Sequence, residues 1–345
     1  MSLKFPEIFF GNINQYSSKL DLSNDSKRIF LIADENTKSC IDRIEINSLK
    51  DGKLCILGAG EEHKNLSQIE TIWSFLNRHQ ASRNDHVYII GGGVICDMGA
   101  FAASTYKRGV PFSLVPTSLL AMVDASVGGK TGFNFNNLKN NIGTFSQPTA
   151  IYCDSRFLNS LKMDEKMAGM AEVYKHAIIG DRELWNYLSN NSIETLDFET
   201  IIKKSTQLKY NIVKRDPFES NERKKLNLGH TVGHAIESYL LNKNTSTLHG
   251  FAIAYGMILE AFISYKIGLT TKSIAEEIKV ELTRFFKQLI EFNIDIDHVI
   301  DFMLNDKKNN TSKINFSLPK DIGEVQIDVE LGKNEVQAIL KEFNI

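Results

Sequence analysis

HVYIIGGGVICDMGAFAASTYKRG, residues 86–109, reads as a strand that ends in glycines and passes straight into a helix. His86 to Ile90 form a short apolar run, Gly91, Gly92 and Gly93 interrupt it, and helical periodicity follows. Backbone N–H groups at such a helix start, helped by the helix dipole, can hold a pyrophosphate. The stretch is not GxGxxG and lacks a GK[ST] ending, which removes an ATPase reading. Three glycines alone equally suit a tight turn at positive φ.

The same unit recurs on either side. RIFLIADENT (28–37) and KLCILGAGE (53–61) are apolar runs closing on small or polar residues, and SQIETIWSFLNRH (67–79) has helical periodicity. PFSLVPTS (111–118) adds a strand before SLLAMVDAS (118–126). Alternation of this kind implies an α/β region with a largely parallel sheet covered by helices and ligands at the strand C-terminal ends. Asp34 closes the first of these strands, where a carboxylate can accept adenosine ribose hydroxyls; Glu61 and Lys64 follow the next. Each alone is more often a solvated loop charge. Several polar strand ends beside a triple glycine favour a dinucleotide.

After about residue 155 the pattern changes to long 3.6-period segments, among them FLNSLKMDEKMAGMAEVYKHAII, ETIIKKSTQLKYNIVKRD and SIAEEIKVELTRFFKQLIEF. The second part is therefore expected to be mostly helical. No Pro/Gly/Ser linker intervenes, so a tight interdomain cleft is expected.

Composition narrows the partners. Forty basic against forty-two acidic residues, net charge −2, remove the electrostatic footprint of a nucleic-acid or anionic-membrane binder, so the partner is expected to be small. Cys40, Cys55, Cys96 and Cys153 show no CxxC spacing and read as buried thiols of a reducing compartment. No basic leader precedes an apolar stretch, and no apolar segment is long enough to span a bilayer, so a cytoplasmic location is expected.

LNLGHTVGHAIE (226–237) places His230 and His234 four apart on an apolar helical stretch, presenting both imidazoles to one side. Two core histidines would be the plain reading. His249 in LHG and Glu172 in GMAEVYKHA offer further donors, and two imidazoles with one carboxylate make a catalytic zinc set. Glu172 with His176 is an alternative i,i+4 pair that periodicity leaves open.

ASVGGKTGFNFNNLKNNIGTF (125–145) reads as a Gly- and Asn-rich loop that offers Lys130, Lys139 and Asn140 to an anion. Lys175 lies three residues after Glu172, and Lys209 and Arg223 precede the histidines. Lysines are mostly surface groups, and sequence does not say which of Arg223, Lys224 and Lys225 turns inward. Five or six cations together would suit a substrate carrying both phosphate and carboxylate.

These motifs, in this order, resemble the 3-dehydroquinate synthases, a branch of the sugar phosphate cyclases. GGGVICDMGAFAASTYKRGVPFSLVPTSLLAMVDASVGGKTGFN, LKNNIGTFSQP, AGMAEVYKHAII, LNLGHTVGHAIE and LHG carry the resemblance, with DKK and FSLPKDIG near the C-terminus. It implies a Rossmann-like α/β NAD-binding domain over residues 1–155 and a mostly α-helical metal- and substrate-binding domain over 156–345. The implied metal ligands are Glu172, His230 and His249, with Zn2+ first and Co2+ second, while His234 would face substrate. The implied NAD site comprises Asp34, Asn36, Glu61, Lys64, Gly92, Gly93, Val94, Asp97, Thr117, Ser118, Phe157, Leu158 and Ser160, with Lys130 and Lys139 beside it.

Substrate contacts would come from Asp124, Lys130, Asn140, Lys175, Lys209, Arg223, Asn227 and His234, with one of Lys307 and Lys308. Arg108 matches an arginine lent across a homodimer interface. The implied reaction converts 3-deoxy-arabino-heptulosonate 7-phosphate, a phosphorylated keto-acid sugar, into 3-dehydroquinate by transient oxidation, phosphate loss, reduction and aldol closure. Two departures stand out: LHGFA replaces the commoner LHGEA, putting Phe251 where a carboxylate is usual, and Ser118 replaces the second threonine of PTT. Another sugar phosphate cyclase, or a metal- and NAD-dependent polyol dehydrogenase, remain rival readings.

Overall fold

The computed structural model describes residues 4–20, 27–136, 138–243, 245, 247–287, 294–304 and 313–343. Lys307 and Lys308 lie outside them. The chain divides into two compact units, Met1–Lys162 with Phe198–Thr206, and Met163–Asp197 with Gln207–Ile345. The segment just after residue 155 stays with the first unit because Asp154 accepts from the Ile13 N–H at 2.9 Å and Arg43 donates to the Arg156 carbonyl.

In the first unit, six strands among the described residues form a parallel sheet: β1 (Glu7–Phe10), β2 (Ile29–Asp34), β3 (Lys53–Leu57), β4 (His86–Gly91), β5 (Phe112–Pro116) and β8 (Ala150–Cys153). Their spatial order is β1-β8-β5-β4-β2-β3. Strands β2 and β4 are buried throughout, as expected when both faces are covered. Short helices α1 (Ser17–Leu20) and α2 (Asn47–Lys50) lie in the connections. Helix α3 (Leu66–Arg78) is capped by the Asn65 side chain on Gln68 N–H and buries Ile69, Ile72 and Leu76 along one face. Helix α4 (Gly93–Thr105) follows β4 directly and is buried on most sides. The chain runs outward from β2 to β3, then returns to place β4 against β2 and continue to β5, so the ends of β2 and β4 flank the switch point.

The stretch read as a glycine-rich loop is instead an antiparallel hairpin of β6 (Lys130–Phe135) and β7 (Leu138–Phe145). Its composition masked an alternation in which Thr131 and Phe133 turn inward, and Phe133 packs edge-on against Phe101 of α4 at 5.1 Å.

The second unit holds α5 (Met163–Gly180), α6 (Arg182–Ser189) and the later half of α7 (Phe198–Arg215). A 3-10 turn, Glu222–Asn227, leads to α8 (His230–Asn242), α9 (His249–Lys266), α10 (Lys272–Phe285), α11 (Ile296–Leu304) and α12 (Lys333–Lys341). Between α11 and α12 stands an antiparallel hairpin, β9 (Lys313–Asp321) with β10 (Glu324–Gly332), an addition to the expected helices. It braces the approach to α8: Ser317 Oγ donates to the Lys224 carbonyl at 2.8 Å, and Thr231 Oγ to that of Asn315 at 3.2 Å. No helix among the described residues is long and apolar enough to cross a membrane.

Candidate active site

Three helices of the second unit build a cluster of donors. Helix α9 packs against both α5 and α8, bringing Glu172 of α5, His230 and His234 of α8, and His249 of α9 together. The helix carrying the first two imidazoles starts at His230, later than the sequence pattern suggests. Gly229 takes φ +78, which a β-carbon would disfavour, and a Cβ there would lie 2.5 Å from Met257.

Glycine has no side chain to cap α8, and Glu260 of α9 does this instead. Its buried carboxylate accepts from Gly229 N–H at 2.5 Å and Val232 N–H at 3.1 Å. The negative charge also suits the positive end of the helix. At the other crossing, a Cβ on Gly250 would lie 2.0 Å from the Ala168 carbonyl oxygen, so this glycine lets the start of α9 meet α5 and carries His249 to Glu172.

Glu172 Oε1 lies 3.6 Å from Nε2 of both His230 and His249. Donors about 2.1 Å from a tetrahedral ion stand about 3.4 Å apart, so this spacing fits one divalent cation. Glu172 Oε2 pairs with Lys175. His230 donates from Nδ1 to the Leu228 carbonyl at 3.1 Å, leaving Nε2 as the lone-pair atom. Burial, then the nearby Lys175 ammonium, keep the His230 pKa well below the usual histidine value, so the ring is neutral as a ligand must be. Burial alone would also lower His249, but hydrogen bonds to Glu172 and Glu237 raise it to about 9. A cation binding there displaces that proton.

One ring nitrogen of His234 lies within 4.8 Å of one from each of His230 and His249, so these two imidazoles face His234 as well as Glu172. An all-histidine set would leave Glu172, a fully buried carboxylate, facing the rings without the ion. The alternative partner of Glu172, His176, is also fully buried on α5.

The other polar groups of this unit divide by burial. Lys175, Lys209 and Arg223 are buried cations. Arg223 is thus the inward member of its basic triplet; its guanidinium donates to the Pro217 carbonyl at 2.5 Å, while Lys224 pairs outward with Asp328 at 2.9 Å. Asn227 donates to Glu219 at 2.7 Å. Glu219, Glu237 and Glu260 were not singled out in the sequence, although Glu260 is the one acid in the apolar run MILEAF.

In the first unit, residues flank the switch point. Gly92, at φ −72, has no need of positive φ; a Cβ there would meet only Ser118 Oγ at 3.6 Å, so the approach to the first N–H groups of α4 is open. Gly93 and Val94 begin that helix. The cradle fits a pyrophosphate. Thr117 N–H donates to Gly91, and Ser118 Oγ accepts from Ala121 N–H. Asp34 holds its own turn, Oδ1 accepting from Asn36 and Thr37 N–H. Buried Lys64 pairs with Asp97 at 2.6 Å. Its desolvation is outweighed by the Asp97 and Glu61 carboxylates, which raise its pKa.

Asn134, another residue passed over in the sequence, links the hairpin to this edge. Its amide donates to Glu61 Oε1 and its oxygen accepts from Asn140 N–H, both at 2.8 Å. Lys130, Lys139 and Asn140 are exposed on the hairpin, Asp124 is half-buried in the π-helical turn Ala121–Ala125, and Arg108 is exposed after α4. Phe157 and Leu158 are core residues, while Ser160 is exposed with its hydroxyl on the Phe157 carbonyl.

Two family models match the chain: 3-dehydroquinate synthase N-terminal over residues 54–168 and 3-dehydroquinate synthase C-terminal over 169–309. The 3-dehydroquinate synthase of Campylobacter jejuni subsp. doylei is 37% identical over 95% of this chain and 96% of its own. That of Campylobacter fetus subsp. fetus is 42% identical over 82% of each. Among solved structures, a 2-epi-5-epi-valiolone synthase from Streptomyces hygroscopicus with NAD+ and Zn2+ bound superposes with TM-score 0.85 at 22% identity, covering 99% of this chain and 97% of that one. A 2-deoxy-scyllo-inosose synthase complexed with carbaglucose-6-phosphate, NAD+ and Co2+ gives 0.84 at 23%, covering 97% and 96%.

Proposed function

Because the chain belongs to the 3-dehydroquinate synthase family, we propose that it is a lyase that converts 3-deoxy-arabino-heptulosonate 7-phosphate into 3-dehydroquinate and phosphate. The observation that carries this reading is Glu172 Oε1 standing 3.6 Å from the Nε2 atoms of both His230 and His249. Those three residues hold a divalent cation, Zn2+ or Co2+, and the Gly92 cradle of the first unit holds NAD. The cation supplies Lewis acidity that makes a sugar hydroxyl easier to ionise, and NAD supplies a reversible hydride acceptor.

This chain's own residues do the rest. Asp34, Asn36, Glu61, Lys64, Asp97, Thr117 and Ser118 surround the dinucleotide with Gly93 and Val94, and Phe157, Leu158 and Ser160 complete its pocket. Lys175, Lys209 and Arg223, buried cations of the second unit, grip the substrate carboxylate and hydroxyls. Lys130, Asn140, Asn227 and His234 bind the phosphate and stabilise it as it leaves, with Lys139 nearby. Asp124 orients a hydroxyl. Holding the open product in a reactive conformation favours its aldol closure. Arg108, exposed at the end of the α4 turn, reaches across a homodimer interface, and the enzyme works in the cytoplasm.

Purified protein given the heptulosonate phosphate, a divalent cation and catalytic NAD should release phosphate and 3-dehydroquinate in equal amounts with no build-up of NADH. Net NADH would favour a polyol dehydrogenase. Preference for a sugar phosphate without a carboxylate would favour another cyclase.

A further inference from the structure

We propose that Glu237 is a positioning residue of the cation site: it fixes the ring of His249 so that Nε2 faces Glu172, and it provides the carboxylate that Phe251 does not. This rests on the reading that Glu172, His230 and His249 share a divalent cation.

Glu237 stands on α8, seven residues after His230 and three after His234, so it continues the face that carries the imidazoles. Its Oε2 is 3.0 Å from His249 Nδ1, and its side chain is only 10% exposed. An ionised carboxylate only accepts, so Nδ1 keeps its proton on Glu237, and Nε2 is the atom that gives up a proton to an incoming cation and turns its lone pair to it. The two imidazoles are therefore held from behind in different ways, His230 by the neutral Leu228 carbonyl and His249 by a charged carboxylate. The charged partner makes the His249 ring the more basic ligand.

Phe251 does not compete for this place. Two residues beyond His249 on α9 it points to another face, is 7% exposed, and meets Phe286 edge-on at 6.0 Å and 90°. A carboxylate at 251 in this chain would enter apolar packing.

The test is a competition titration of Zn2+ against a chromophoric chelator, with the visible spectrum of the Co2+-loaded protein, for wild type, Glu237→Ala, Glu237→Gln and His249→Ala. Thermal melting of each checks folding. His249→Ala should lose the cation. Glu237→Ala should bind it about 10- to 100-fold more weakly and shift the cobalt bands, whereas Glu237→Gln, whose amide oxygen still accepts from Nδ1–H, should stay within about threefold.

A merely structural Glu237 would lower the melting temperature of the alanine variant and leave affinity and spectrum alone, overturning the proposal. Glutamine as weak as alanine would overturn the positioning role too. Normal wild-type binding with unchanged Glu237→Ala removes this inference alone; a folded wild type that takes up no cation removes the cation reading with it. Phe251→Glu should not tighten binding, and a tenfold gain or more would overturn the assignment of the carboxylate to Glu237.

Discussion

In the first unit the candidate ligand groups at the ends of β2, β4 and β5 include backbone N–H groups and small polar side chains, whereas in the second they are ionisable side chains on α5, α8 and α9, Glu172 fully buried and the three imidazoles partly so. A site of the first kind can lose a ligand contact without disturbing the fold. A site of the second kind joins ligand binding to stability, because each buried charge is balanced by another. Glu172 illustrates this: one oxygen faces two imidazoles and the other a buried ammonium.

The largest expected effect breaks that arrangement. Glu172→Gln should abolish cation binding and lower kcat/KM by about a thousandfold or more, the several kcal/mol that a Lewis acid contributes. It also leaves Lys175 buried beside a neutral amide, which destabilises the unit. His249→Ala, at a half-buried ring, separates the two outcomes: the cation should be lost while thermal melting changes little. Retained stoichiometric binding in either variant would remove the proposed donor set.

Two histidines sharpen the contrast between the units. Burial pushes both down, but His249 lies between carboxylates and rises to about 9, whereas His86 at the start of β4 meets the neutral Ser113 hydroxyl at 2.9 Å and falls to about 4. Burial is the main cause at His86, with Lys27 adding to it. Above pH 6.5 His86 is neutral whether folded or unfolded, and the first unit has its full stability. As the pH falls toward 4 the unfolded chain takes a proton that the folded unit refuses, so up to about 3 kcal/mol is lost across that window. Urea unfolding of wild type and His86→Gln at about pH 7 and about pH 4.5 measures this. An equal acid loss in both would assign the effect elsewhere.

A smaller effect tests the backbone site. Gly92→Ala has room for its methyl group and an accessible backbone, so melting should not change. The added carbon narrows the approach to the α4 N–H groups, and NAD should bind about tenfold more weakly, about 1.4 kcal/mol by calorimetry. Unaltered NAD affinity would move the pyrophosphate away from Gly92.

Legibility in the sequence follows the same division. Strands β2 to β5 and helix α4 were readable because apolar runs and helical periodicity alternate without interruption. Strands β1 and β8 were not, being four residues each and indistinguishable from any short apolar run. The β6–β7 hairpin was hidden by its glycines and asparagines, although Asn136 and Asn140 take positive φ where the chain turns or bulges. In β9–β10 the alternation was present in KINFSLP and EVQIDVEL and was outweighed by the helices around it. Histidine spacing exposed the donor cluster, but not which helix residue faces it from another element. Glu237 and Glu260 act across the α8–α9 contact, and spacing along one helix carries no information about that contact.

The basic triplet Arg223–Lys225 is where the sequence could least decide, since three like charges in a 3-10 turn have no periodic face to separate them. The β9–β10 hairpin separates them: Lys224 is drawn outward to Asp328, whose φ of +56 marks a bulge in β10, and Arg223 turns inward at 2% exposure. The Lys224–Asp328 pair is 33% and 45% exposed, and solvent screens it. Lys224→Ala should therefore cost no more than about 0.5 kcal/mol in urea unfolding and leave KM unchanged. Arg223→Ala should raise KM for the keto-acid phosphate well beyond that, through the loss of a desolvated charge-assisted hydrogen bond. Equal effects on KM from both would mean that burial does not distinguish these neighbours, and the substrate would have to be met from the outer side of the turn.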